Sequence, residues 1–282
     1  MKELPTTSQF IKKYGLDAKK SLGQNFILDK NFTDKIAKTA ISEDKNDLSG
    51  EVILEVGPGP ASLTRSILDL NPKKLVVIEK DRRCLKILEE LQSFYGAEKL
   101  QIINEDALKI DELEILQLAD QEKFKIIANL PYNIGTLLII RWIKICKYIS
   151  SMTLMLQKEV AQRIAAKVNE EHYGRLAIMM QNFAETKIAF DVAKSVFTPP
   201  PKVTSAIINI KPRPQPLFDI DEKKLQHVTA LAFNQRRKMI KKSLKGLSDD
   251  IVKTLEEFEI EPTARPENLT IADFCNLAKL VD

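Results

Sequence analysis

The stretch Val52-Ile53-Leu54-Glu55-Val56-Gly57-Pro58-Gly59-Pro60 decides the fold. Its first five residues predict a buried strand, and the alternating glycines and prolines predict a tight turn at the strand's carboxyl end. A helix is expected next, from about Ala61 to Leu70. Glycine at 57 and 59 lets backbone come close to a ligand above the strand. The plainer alternative is that the glycines only close a turn. Against it stands Glu79, 20 residues after Gly59 and just past the next apolar run, where a carboxylate can accept hydrogen bonds from both hydroxyls of a ribose.

Working outward, strands and helices alternate. Further strands are predicted at Leu75 to Ile78, Leu100 to Ile103, Phe124 to Ala128 and Met152 to Leu156, with two more at Lys187 to Val192 and Ser205 to Ile210. Helices are expected over Asn31 to Ile41, over Arg82 to Phe94 and from about Lys158. Continuous apolar strands separated by helices imply a mostly parallel seven-stranded sheet covered on both faces, a Rossmann-like α/β domain. The segment Phe197-Thr198-Pro199-Pro200-Pro201-Lys202-Val203 reads as a rigid loop, since successive prolines cannot join a ladder. Pro212, Pro214 and Pro216 mark a stiff linker. The expected division is therefore residues 1–212, opening with a basic arm over 1–30, and a small all-helical domain over 213–282.

The 282 residues suit one large and one small domain. Apolar residues make up 44% and charged residues 29%, and no apolar run approaches the roughly 20 residues of a membrane helix. With no signal-peptide pattern at Lys2 and Glu3, a cytoplasmic protein is expected. Cys84, Cys146 and Cys275 lie far apart, and His172 and His227 complete no ligand set with them. No metal site is expected. The net charge of +4 matters less than where the cations cluster.

The cofactor follows from charge. A dinucleotide fingerprint wants a third glycine or alanine where this chain has Ser62. Glu55 would repel a pyrophosphate and attract a sulfonium that also carries an ammonium group. Asp106, after the third strand, is an acceptor suited to an adenine amine. These residues favour S-adenosylmethionine over NAD, and a nucleotide-dependent oxidoreductase is the weaker reading.

Asn129-Leu130-Pro131-Tyr132 ends the fourth strand. The lone pair of an adenine amine is delocalised into the ring, so the nitrogen is a poor nucleophile. Two acceptors, one on each N–H, can draw it towards a tetrahedral geometry. The Asn129 side-chain oxygen and the Leu130 carbonyl can supply them, Pro131 stiffens the turn, and Tyr132 offers a stacking face. A plain strand-ending turn is the alternative, disfavoured at this position in a cofactor-type sheet. Arg236, Arg237, Lys238, Lys241, Lys242 and Lys245 crowd into ten residues, with no nearby acid before Asp249. On one helix Arg237, Lys241 and Lys245 would share a face, and phosphate contact is favoured over a merely solvated surface. The N-terminal lysines Lys12, Lys13, Lys19 and Lys20 fit either an arm that orders on RNA or a solvated tail.

Nearly the whole chain resembles the small-subunit ribosomal RNA adenine N6-dimethyltransferase family. The likeness rests on Lys20-Ser21-Leu22-Gly23-Gln24-Asn25-Phe26, Glu55 to Gly59, Asn129-Leu130-Pro131-Tyr132-Asn133-Ile134, Tyr173-Gly174-Arg175-Leu176, Phe197 to Val203 and Phe233-Asn234-Gln235-Arg236-Arg237-Lys238. The resemblance implies a class I methyltransferase fold, S-adenosylmethionine as donor, and dimethylation of two adjacent adenosines in a hairpin of 16S RNA within a 30S precursor; a monomer is the default expectation. It further implies that Asn25 and Ile27 flank the cofactor and that Phe197 sandwiches the target base opposite Tyr132. Gly135 departs from the family's frequent serine, which is expected to alter loop stiffness and not to abolish chemistry. Two neighbouring readings are an erythromycin-resistance-type 23S RNA methyltransferase and a non-catalytic RNA-binding assembly factor on the same fold. The segment from Phe233 to Lys245 and the intact Asn129 turn favour the first reading over both.

Overall fold

The computed structural model describes residues 4–18, 24–119 and 121–281. Among these, the main sheet has seven strands: β2 (Val52–Val56), β3 (Lys74–Ile78), β4 (Leu100–Ile103), β5 (Phe124–Asn129), β6 (Ile149–Gln157), β7 (Ala184–Val192) and β9 (Ser205–Pro212). They lie in the order β4-β3-β2-β5-β6-β9-β7. The pairs β2–β3, β3–β4, β2–β5 and β5–β6 are parallel, and β6–β9 is antiparallel. Every residue of β2 is buried, which its near-continuous apolar sequence demands of a strand covered on both faces. From β2 the chain winds outward through β3 and β4, then returns to place β5 on the other side of β2. That reversal opens a crevice beyond the carboxyl ends of β2 and β5. The turn at Gly57 and the turn at Asn129 both end there.

The helices of this unit are α2 (Lys30–Thr39), α3 (Ser62–Leu68), α4 (Arg82–Tyr95), α5 (Leu113–Ala119) and α6 (Gly135–Lys144), preceded by α1 (Thr7–Tyr14). The last corrects the basic-arm expectation. Thr6 and Gln9 form a capping box, and Phe10 and Leu16 are fully buried beside Ile36, Ile53, Leu75 and Ile87. Lys13 pairs with Glu90. Two apolar anchors therefore bind residues 4–18 into the core, and the expectation of a free arm fails there. Lys19, Lys20 and Ser21 to Gly23 lie outside the described residues.

A second small sheet was also unexpected. Phe197–Thr198, read as rigid loop, forms strand β8 and pairs antiparallel with β1 (Phe26–Ile27), with Phe26 opposite Thr198 and Ile27 opposite Phe197. The ladder stops where Pro199 removes the next donor.

By contacts the chain divides into two units: residues 1–158 with 187–212, and residues 159–186 with 213–282. The linear boundary at 212 therefore misplaces residues 159–186. Their α7 (Lys158–Ala165) and α8 (Arg175–Phe183) belong with α9 (Glu222–Asn234), α10 (Ile240–Ser243), α11 (Ile251–Glu257) and α12 (Ile271–Ala278). The reason is apolar burial: Tyr173, Ala177 and Ile178 share one core with Leu225, Val228, Ile240, Leu255 and Phe274. The Tyr173 hydroxyl donates to the Leu269 carbonyl at 3.0 Å, and the Tyr173, Phe233 and Phe274 rings pack in succession.

Residues 236–245 do not form the expected helix. Helix α9 ends at Asn234, a turn follows, and Met239 is extended before the short α10. The Ile240 N–H donates to the Ala264 carbonyl at 2.7 Å, and Ile240 and Leu244 are fully buried. The Ile240 and Lys241 N–H groups pair with the Ala264 and Pro262 carbonyls instead of a preceding helical turn, so Arg237, Lys241 and Lys245 do not share a continuous helical face. No helix among the described residues is long and apolar enough to cross a membrane.

Candidate active site

A cavity at the crevice is lined by Asn25, Ile27, Gly57, Gly59, Glu79, Asp106, Asn129, Leu130, Pro131, Tyr132 and Phe197. Every residue expected from sequence to touch cofactor or target base thus reaches one space. The cavity also takes in Glu55 and Lys80.

The glycine turn is held tightly. Gly57 and Gly59 have φ of 69° and 55°, a left-handed conformation that side chains resist. A Cβ at Gly57 would stand 3.5 Å from the Pro131 ring, and one at Gly59 would stand 3.4 Å from Phe26. Those distances are ordinary contact, so it is the left-handed backbone, not crowding, that calls for glycine at both positions.

Glu79 joins the loops after β2 and β3. Its Oε2 accepts from the Gly59 N–H at 3.0 Å and its Oε1 from the Asp81 N–H at 2.7 Å. Only 5% of Glu79 is exposed, and burial pushes its carboxyl up, against the pull of those two N–H groups. Each oxygen keeps a further lone pair, so the loop anchor and a ribose acceptor can be one group.

Glu55 is 2% exposed, and among the described residues its Oε2 has no hydrogen-bond partner. Burial pushes its carboxyl from about 4.5 up to about 8. The unfolded chain ionises Glu55 above about 4.5, while the fold keeps the proton until about 8, so unfolding releases a proton in that window. Stability should fall as pH rises from 4.5 to 8. Urea unfolding of wild type and Glu55→Gln at pH 5 and pH 8 checks this. The variant should lose less stability over that rise, and parallel changes would contradict the assignment.

Asp106 is less open than its sequence position promised. Its Oδ2 pairs with Lys80 at 2.8 Å, and its Oδ1 accepts from the Leu108 N–H at 3.0 Å. Lys80 holds the Asp106 carboxyl below the usual range. Across the cavity wall Asp81 caps α4 and gathers Arg83 and Gln24. Burial works against its ionisation, yet the bonds from Arg83 and Gln24 bring its carboxyl down to about 2. Arg83 also donates to the Asp17 carbonyl, tying the N-terminal segment to the wall beside Asn25.

The turn after β5 is rigid. The Leu130 N–H donates to the Met155 carbonyl at 3.3 Å, while the Pro131 carbonyl accepts from Ile134 at 3.2 Å and Gly135 at 3.0 Å. Among the described residues, neither the Asn129 side chain nor the Leu130 carbonyl has a hydrogen-bond partner. Two acceptors without partners thus belong to residues that line the cavity. Tyr132 is fixed at its far end, its hydroxyl 2.6 Å from Oγ of the fully buried Ser205. Burial pushes its phenol up, keeping it neutral. Sequence reasoning missed Ser205, 73 residues away on β9. Phe197 is 3% exposed and lines the cavity from β8. A Cβ at Gly135 would stand 3.4 Å from that of Leu130, an ordinary contact, so a serine there would pack against the Asn129 turn.

In the second unit the basic residues separate. Arg236 pairs with Glu267 at 3.0 Å and donates to the Glu171 carbonyl, which makes it an internal clamp. The expectation of missing acidic partners fails for Arg236, because Glu267 arrives from far along the chain. Arg237, Lys238, Lys242 and Lys245 are exposed and form no ion pair among the described residues, and Lys241 is half-buried. Among the described residues no group of three or more His, Cys, Asp or Glu could hold a metal ion.

The parallel sheet, its crossover helices and a cavity at the switch point define a Rossmann-like class I methyltransferase. The family model described as ribosomal RNA adenine dimethylase matches residues 15–282, and the chain belongs to that family. It is 45% identical over 281 residues to the ribosomal RNA small subunit methyltransferase A of Allorhizobium ampelinum, covering 99% of this chain and 98% of that protein. Among solved structures it resembles a dimethyladenosine transferase from Plasmodium falciparum, with TM-score 0.75 and 26% identity over 89% of this chain and 95% of the other. The 23S rRNA methyltransferase ErmE shares the fold, with TM-score 0.68 and 24% identity over 91% of this chain and 99% of the other.

Proposed function

We propose that this chain transfers methyl groups from S-adenosylmethionine to N6 of two adjacent adenosines in a 3′-terminal hairpin of small-subunit ribosomal RNA, acting in the cytoplasm as a monomer on a 30S precursor. One observation carries the reading: two open acceptors, Asn129 and the Leu130 carbonyl, share a cavity with the glycine turn and Glu79. The near full-length likeness to a ribosomal RNA small subunit methyltransferase A supports the choice of RNA. The likeness to ErmE is one of fold and gives the 23S alternative no comparable support.

The residues fit the donor. The Glu55 Oε2 offers a buried acceptor to a cationic ligand, whose charge would favour loss of the proton that burial holds there, and Glu79 has lone pairs left for a ribose. Asp106 offers the adenine amine an acceptor it already shares with Lys80, and Asn25 and Ile27 flank the bound cofactor from the N-terminal side. S-adenosylmethionine, when bound, supplies the methyl group on an electrophilic sulfonium. Asn129 and the Leu130 carbonyl each accept one amine N–H of the target, which localises its lone pair. Tyr132, pinned by Ser205, and Phe197 hold the base between them. Positioning and fixed dipoles carry the rate, and the proton passes to solvent water once the new bond makes the amine acidic. The base must be extruded, which costs least in a loop.

Mass mapping of small-subunit RNA from cells with and without the protein tests this reading. Loss of dimethylation at two adjacent adenosines is expected, and unchanged RNA would overturn it. We assign RNA backbone contact to Arg237, Lys238, Lys241, Lys242 and Lys245, with Arg236 serving the fold. Replacing Arg237 and Lys242 together by alanine should weaken RNA binding and reduce the salt slope by about two units, about one per lost phosphate contact. Filter binding across salt concentrations measures it, and an unchanged slope would return these cations to a solvated surface.

A further inference from the structure

Helix α6 begins one residue after the Asn129 turn has closed, and two turns along it carries Arg141. That side chain does not point its charge at solvent alone. Its Nη1 donates to the Leu108 carbonyl at 2.8 Å and its Nη2 to the Ala107 carbonyl at 2.6 Å. Its Nε donates to Glu112 Oε1 at 3.0 Å, and Nη2 reaches the same oxygen. Glu112 is 4% exposed and accepts from the Trp142 indole N–H at 2.6 Å as well. The guanidinium fork is thus fixed at its back by a buried carboxylate, and its front holds two consecutive backbone carbonyls.

Those carbonyls belong to the loop after β4. Its Glu105, Asp106 and Ala107 line the cavity, and Asp106 accepts from the Leu108 N–H in the same turn. Apart from the Arg141 fork, that loop is held by short local bonds, by the Asn104 amide donating to the Glu79 carbonyl at its start, and by Lys80, whose ammonium is largely exposed. We infer that Arg141 is a positioning residue for the cofactor's adenine side, locking the Asp106 loop to the helix that follows the Asn129 turn. The inference rests on the proposed use of S-adenosylmethionine. It joins the loop proposed to receive the donor's base to the helix that follows the turn proposed to hold the target amine. A loose Asp106 loop would misplace the donor without touching the amine acceptors.

Calorimetric titration of wild type, Arg141→Ala and Arg141→Lys with S-adenosylmethionine, and separately with adenosine, tests it. Arg141→Ala should weaken both ligands by about tenfold, because the defect lies on the shared adenosine moiety. At saturating donor kcat should change less than KM. Arg141→Lys, which keeps the charge but loses the fork, should restore little of the affinity. A purely structural role predicts a lower Tm with both affinities unchanged in the folded variant, and that result would overturn the inference. Should Arg141→Ala not fold, Arg141→Lys decides alone: wild-type affinity for adenosine contradicts the proposal. If wild type itself binds neither ligand, the reading of the site fails and the proposal falls with it.

Discussion

Asn129→Ala is expected to lower methyl transfer by about 10²- to 10³-fold or more, the scale of removing one preorganised polar group from a reacting centre. Asn129 is the last residue of β5, and its backbone stays paired with Met155 whatever side chain it carries. The strand and the turn should therefore survive the change. What disappears is one of two acceptors without partners on residues that line the cavity. With only the Leu130 carbonyl left, the amine keeps a delocalised lone pair and its attack slows. Cofactor affinity should stay within a few-fold, since Glu79 and Glu55, the proposed partners of the donor's ribose and charged end, are unchanged. Single-turnover transfer together with calorimetric donor binding separates the two effects. Near-normal transfer by the variant would exclude the two-acceptor mechanism.

Glu79→Ala has the second largest expected effect, acting on binding. It removes a buried carboxylate whose two oxygens each hold a backbone N–H. Losing hydrogen bonds to a charged group costs about 1.5–3 kcal/mol, or about ten- to a hundredfold in Kd. The variant also leaves the Gly59 and Asp81 N–H groups buried and unpaired, so the glycine turn should loosen. Glu79→Gln keeps the shape and one acceptor and should fall between alanine and wild type. Calorimetry on all three proteins measures the order. Equal affinities would remove Glu79 from the cofactor site.

The fold was legible wherever burial on both faces forced continuous apolar strands. Val52 to Val56, Leu75 to Ile78 and Phe124 to Ala128 all appear as read, and the reversal between β2 and β5 puts their turns side by side. What sequence concealed was non-local. Ser205 meets Tyr132 across 73 residues, and no local pattern marks that bond. Strands β1 and β8 are two residues each, too short to show a period. The Thr6 and Gln9 capping signal was present, but the surrounding lysines drew the reading towards a solvated arm. After Asn234 no glycine or proline announces the break, because the Ile240 and Lys241 N–H groups find their acceptors at Ala264 and Pro262, far along the chain. Residues 159–186 likewise join the helical unit through side-chain burial, which the order of elements along the chain does not reveal.

The most direct measurement is a calorimetric titration of the purified protein with S-adenosylmethionine. Saturable uptake of one donor per chain is predicted, abolished or strongly weakened in Glu79→Ala and nearly retained in Asn129→Ala. No detectable uptake at concentrations up to about 1 mM, the upper end of ordinary KM values, would contradict the account.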